Sequence, residues 1–466
     1  MFDQQQNRVR IDESRQSLVA LQSDLTAWLE KRRLDDVHHQ YHTQLDSLEQ
    51  VVGSALTELG QGLGTILSDR PPGEVYDACR DFDVRVLWLR RVWDFFREKF
   101  DQRDDPRLRP VLKAADEVVW SCYRPAFLRA LVWSPGLDAG PAPLPFIESR
   151  YSPEAFPREL VPQDLKRDVD LTFLRTHLAA LPIPLVRLPT TCVEAPWGLI
   201  YLAHELGHHV QYRLLPDRKL VDDTADLIGN EARKISPAAE ESWRSWSREI
   251  FADFYSVLLM GTWAAHAMLE LELRGHAEMS KPRAAYPSPL IRIYLMAKTA
   301  SLLGLTVEED LLDGLFALSD GSPAGLEKEI ADRVAEALLG LKAYGQTLSY
   351  LSSHAADQFK TAVPGWRDSL LGDPEPQAAM TLEAARLATA GTVAAWNRVG
   401  GEADDKERSR RRERLRTRSV SLIAECRLPG QRDAPPEVDT AGLGKGLAEA
   451  LLAQNPKDLE TPGESV

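Results

Sequence analysis

Pro196-Trp-Gly-Leu-Ile-Tyr-Leu-Ala-His204-Glu205-Leu206-Gly207-His208-His-Val-Gln-Tyr-Arg-Leu214 is the stretch on which the reading of this chain turns. Pro196 stands where a helix accepts its first residue, and Pro216 stops one, so a helix over 196–214 is predicted. Positions four apart in a helix lie one turn apart on the same face. His204 and His208 can therefore both reach one ion, at about 2.0–2.1 Å if that ion is zinc. Glu205 is rotated by about 100° from His204. It flanks the ion rather than completing its shell, and can take a proton from a water activated there. Gly207 costs this helix roughly 1 kcal/mol relative to Ala, which points to a close approach of something to the backbone at that position.

A hydrolytic zinc takes three protein ligands and leaves one position open. The positions three and six residues beyond His208 are Gln211 and Leu214, so a third histidine at that spacing is excluded. The alternative is a Glu from a following helix. Arg248-Glu249-Ile-Phe-Ala-Asp253 supplies one, again with an i, i+4 partner. Glu249 would ligate, and Asp253 would accept the free ring N–H of a zinc histidine, His204 being favoured. Glu231, Glu240 and Glu241 stand as fallback ligands. Ile250, Phe251, Phe254, Val257 and Leu258 mark this helix as mostly buried, where two carboxylates are costly without a cation.

With His204-Glu205-Leu206-Gly207-His208 followed by Glu249-Ile-Phe-Ala-Asp253, residues 183–300 resemble the gluzincin zinc metallopeptidases, the thermolysin-like branch of the zincins. The resemblance implies one Zn2+ per chain held by His204, His208 and Glu249, with Glu205 as general base and Asp253 behind a ligand. It implies a protein or peptide substrate, lying as an added strand on the segment 183–191. Tyr286, His276 and Arg292 are the candidates for a group stabilising the oxyanion. Two other readings stay open. One is a zinc-binding scaffold or sensor without turnover, and the other is a metal-dependent hydrolase of non-peptide bonds.

Outward from this centre, the expected fold is mainly α with a small β-sheet. The segment 183–191 is the best strand, and its two prolines assign it to a sheet edge. Further helices are predicted over 219–234, 238–274, 289–304, 324–341 and 378–398. The zincin-like domain is placed at 164–375 and a helical extension at 376–426. An N-terminal helical domain is placed at 1–133. Within it 18–67 forms a hairpin or coiled coil whose seam includes Leu34, Val37, Tyr41 and Leu45. His38, His39 and His42 beside that seam read as a solvated face, and these helices offer a route to self-association. Seven prolines within 134–163 suggest an extended linker, which could also lie across the cleft as an inhibitory strap. The tail 427–466 reads as poorly ordered apart from an amphipathic piece near 442–453.

The balance of 56 Lys+Arg against 70 Asp+Glu gives a formal net charge of -14, which argues against a nucleic-acid-coating protein. The Arg run 406–418 has no interleaved aromatics and reads as a solvated helix. No stretch is long and apolar enough to span a bilayer. Cys79, Cys122, Cys192 and Cys426 form no CxxC, so a reducing, cytoplasmic setting is expected.

Overall fold

The computed structural model describes residues 4–68, 71–137, 139–157, 181, 183–306, 325–354, 356–372, 377–401, 404–427 and 439–454. In chain order its longer elements are α1 (Gln4–Leu34), α2 (His42–Ser68), α3 (Val75–Asp101), α4 (Arg109–Ala130), β1 (Leu144–Glu148), β2 (Glu154–Phe156), β3 (Leu185–Pro189), α5 (Leu202–Arg213), α6 (Lys219–Ile235), α7 (Ser247–Met260), α8 (Thr262–Glu272), α9 (Pro289–Leu302), α10 (Gly325–Leu339), α11 (Ala356–Leu371), α12 (Ala384–Gly400), α13 (Asp405–Glu425) and α14 (Thr440–Ala453). The chain is mainly helical with a small sheet, and no described helix is long and apolar enough to cross a membrane.

Two compact units divide it. One comprises Met1–Arg103, Phe156–Leu185 and Gln431–Val466, the other Asp104–Ala155 and Val186–Gly430. This division cuts across the boundaries expected from sequence. α4 belongs with the second unit rather than with the N-terminal helices, and so do α12 and α13 of the supposed extension.

The first unit packs α1, α2, α3 and α14 together. Leu25 and Leu29, Leu48 and Leu59, and Phe82 and Trp93 supply its core. The indole of Trp28 stands edge-on to Trp93 and Phe100 and donates to Asp101 at 2.7 Å. Within 18–67, a turn joins α1 to α2. Asp35 caps a 3-10 turn (Asp36–Tyr41), and Leu34, 88% exposed, leaves the seam. That turn carries His38 inward, against the expectation of a solvated face. Its Nε2 lies 3.3 Å from the Phe100 carbonyl, and burial together with Arg103 pushes the imidazole down to about 4. His39 stays exposed.

α14 realises the amphipathic piece expected near 442–453, and it packs on α2. A Cβ at Gly444 would fall 2.3 Å from the Val51 carbonyl, so only glycine permits this approach. Thr440 bonds Gln50, Lys445 lies 3.3 Å from Glu58, and Arg85 donates to the Leu451 carbonyl at 2.9 Å. That guanidinium satisfies a carbonyl which the end of α14 leaves without a helical partner.

In the second unit, β3 is the central strand in the order β1-β3-β2, which corrects its assignment to an edge. Its prolines bracket rather than interrupt it. Pro184 precedes the strand and Pro189 ends it, so Leu185 to Leu188 keep their N–H groups for pairing. Both neighbours come from 134–163. Part of the expected linker is therefore sheet, with Pro145 on the outer strand where proline is tolerated. Arg187 on β3 spans them, bonding Glu148 at 3.0 Å on one side and Glu154 on the other. Deleting 134–163 would thus remove two of the three strands along with any strap.

The helix expected over 196–214 begins as a 3-10 turn (Pro196–Tyr201) and continues as α5. The one expected over 238–274 breaks into a short helix (Glu240–Ser245), α7 and α8. Gly261 separates the last two at φ +64°, a backbone region that side chains disfavour. On α13 the Arg run is solvated as expected and pairs with its own helix: Arg410 and Arg411 with Glu407, Arg416 with Glu413. Arg418 instead turns inward and donates to the Leu370 carbonyl at 3.1 Å. The four cysteines are free and buried.

Candidate metal centre

Helix α5 presents His204, Glu205 and His208, and α7 presents Glu249 and Asp253. What brings the two helices together is Gly207. A Cβ there would lie 2.9 Å from the Ala252 Cα and 3.3 Å from the Tyr255 Cβ. The backbones meet at the point where Glu249 and Asp253 flank Ala252, which explains the glycine that local helix energetics disfavour. Gly207→Ala gains about 1 kcal/mol of helix propensity but overpacks against backbone, at about 1–3 kcal/mol or more. We expect a net loss of stability in denaturant titration. Unchanged stability would remove this role.

The ring centroids of His204 and His208 are 5.0 Å apart and nearly perpendicular. Glu249 Oε2 lies 3.3 Å from His204 Nε2 and 3.6 Å from His208 Nε2. Ligating atoms of all three residues fall within 4.8 Å of one another. Glu249 Oε2 is buried and makes no aligned hydrogen bond. A buried carboxylate oxygen left in this state between two imidazole nitrogens fits a divalent cation, and the two-His, one-carboxylate set suits zinc. Glu231 is instead paired with Arg333 at 3.0 Å, and Glu240 lies 3.5 Å from Arg244, so neither fallback ligand joins the cluster. Glu241 is exposed and also stands outside it. His209 is buried and is not part of it.

His204 Nδ1 lies 2.9 Å from Asp253 Oδ1. Behind Asp253 is Arg292 of α9, whose Nε and Nη2 each donate to that carboxylate at 2.8 Å. Its Nη1 donates to Glu272 at 2.9 Å, and Glu272 also takes Arg283. Glu272, Arg292, Asp253 and His204 thus form one buried chain ending at the cluster. Sequence reading offered Arg292 as an oxyanion donor, whereas three of its N–H groups are committed to carboxylates. Glu272 and Arg283 escaped that reading. The signal for Glu272 was the arginine in Leu290-Ile-Arg-Ile-Tyr-Leu-Met296, an apolar helix in which a guanidinium demands a buried anion.

Burial acts on all these groups. It raises the Glu205 carboxyl above the ordinary glutamate range, against the two imidazoles. Burial opposes ionisation of Glu249 too, but His208 and His204 outweigh it and hold Glu249 well below that range. Asp253 is lowered in the same way, burial losing to Arg292 and His204. For His204, burial favours the neutral ring, yet Asp253 and Glu249 carry the metal-free imidazole up to about 10.

Tyr286 lines a cleft of about 90 Å³ together with His204, Glu205 and Tyr151. Its ring faces Arg292, with the guanidinium carbon 4.9 Å from the centroid. Burial, then Glu249, pushes its hydroxyl up to about 12, so it keeps its proton at neutral pH and can donate. The side chain of His276 lies outside the described residues.

Comparison of the chain with known protein families, with curated proteins and with solved structures finds no match.

Proposed function

We propose that this chain is a zinc-dependent peptidase of the gluzincin kind, with a zincin-like core in the unit that holds α5 and α7. One observation carries the reading. His204, His208 and Glu249 converge within 4.8 Å beside Glu205, a buried carboxylate that is not among them. A bound zinc supplies Lewis acidity that lowers the pKa of water towards about 7 and polarises a carbonyl. Glu205 accepts the proton from the attacking water and returns it to the leaving amine, and its raised carboxyl suits that exchange. Tyr286 donates to the oxygen on which negative charge develops. Asp253 fixes the ring of His204, and Arg292 fixes Asp253. An extended substrate pairs with the outer edge of β2, because the preceding residues Tyr151 to Pro153 line the cleft. That role passes to β2 from β3, whose two sides are taken.

The test joins metal content to turnover. We expect one zinc per chain by elemental analysis and cleavage of an unfolded protein that a chelator stops and zinc restores. Calorimetry at pH 7 in buffers of differing ionisation enthalpy should show proton release on zinc binding. Asp253 and Glu249 favour a proton on the metal-free His204 ring, and ligation displaces it, so affinity climbs with pH. Zinc bound without cleavage of any peptide would identify a silent scaffold, and absence of zinc would end the proposal.

A further inference from the structure

We infer that the cleft selects peptides carrying an acidic side chain beside the scissile bond, through Arg274 at its rim; this rests on the peptidase reading. Three arginines line the cleft: Arg274, Arg283 and Arg292. Arg292 is spent on Asp253 and Glu272. Arg283 also bonds Glu272, and its guanidinium carbon lies 5.3 Å from the Tyr286 ring centroid. Arg274 follows the end of α8, is exposed, and meets no carboxylate among the described residues. Nearby Glu278 is occupied by Lys281 at 3.1 Å. The wall of the cleft therefore presents one uncommitted guanidinium, a group built to take a carboxylate through two parallel N–H bonds.

Position within the cleft narrows the class further. Deep in it, the buried Glu205 disfavours a second carboxylate, so the anion belongs at the rim, on a residue flanking the bond that breaks. The chain's charge of -14 works the other way and would favour basic substrates. At about 0.15 M salt, however, exposed charges are screened beyond roughly 8 Å, and contact with Arg274 decides. A lysine at the same place would meet a like charge.

The experiment uses the zinc-loaded full chain and three fluorescent peptides identical except for one Glu, Gln or Lys next to the cleavage position. Binding is read by anisotropy with Glu205→Gln, and kcat/KM by competition with the wild type. We expect the Glu peptide to bind about fivefold more tightly than its Gln counterpart, the scale of a solvent-accessible ion pair, and the Lys peptide to bind more weakly than either. The order should flatten in high salt and invert when Arg274→Glu is added. Equal binding of the three peptides, or an order unchanged by Arg274→Glu, would overturn the inference. Failure of the peptidase reading looks different, since the wild type would then cleave none of the peptides while the Glu peptide still bound best. Arg274 has no described partner to lose, and circular dichroism confirms that its variant is folded.

Discussion

Replacing Glu205 by Gln is expected to leave zinc in place and to reduce peptide hydrolysis by about 10²–10⁴-fold, the usual contribution of a positioned base. The substitution preserves shape and removes only the ability to hold and release a proton. Metal retention follows from geometry, because the converging ligand atoms belong to His204, His208 and Glu249. Stability should move the opposite way from activity. A carboxyl whose pKa is raised in the folded state penalises folding above the ordinary glutamate range, and the penalty grows until pH passes the raised value. Gln carries no such penalty, so the variant should be at least as stable as the wild type at pH 7. A Glu205→Gln protein that remained fully active, or one that unfolded, would show that Glu205 serves something other than proton transfer.

Arg292→Met is expected to cost about 3–5 kcal/mol, the range for removing one partner of a buried ion pair. It strips Asp253, 1% exposed, of its guanidinium, while Glu272, 4% exposed, loses one of its two and keeps the bond to Arg283. The aliphatic replacement fills part of the volume, so the loss comes from uncompensated charge more than from a void. Denaturant titration of the metal-free protein measures it. The gap between variant and wild type should narrow as pH falls through the aspartate range. Asp253 is held low by Arg292, so its share of stability is present above that range and is lost on acidification. Zinc affinity should fall about 10–100-fold as well, since Asp253 would no longer be fixed against His204. Arg292→Lys should recover only part of either effect, because an ammonium cannot reproduce the paired bonds to Asp253. A cost below about 1 kcal/mol would mean that the buried chain from Glu272 to His204 is dispensable.

The parts of this centre that were legible in sequence are those whose geometry is local. His204 and His208, and Glu249 and Asp253, are each pairs within one helix, so spacing alone places both members on one face. That the two helices touch was hinted at by Gly207, whose cost inside a helix made sense once Ala252 was seen against it. Long-range pairing was not legible. The neighbours of β3 arise from a proline-rich stretch that local signals read as connection, and prolines that bracket a strand look the same in sequence as prolines at a sheet edge. Gly261 falls inside an unbroken apolar pattern, and only its backbone angle reveals the break. His38 shows the same limit. One 3-10 turn was enough to move it from the expected solvated face to a buried one.

The packing of α14 on α2 bears on how the first unit can be assembled in a cell. Gln50, Val51, Ser54 and Glu58 form the face on which α14 rests. Translation delivers that face long before the segment that covers it, while the whole of the second unit's sequence emerges in between. The nascent N-terminal helices must therefore wait on the ribosome with an open seam, the condition in which holding chaperones and wrong intermolecular pairings compete. A stop codon ahead of Thr440 would make that waiting state permanent.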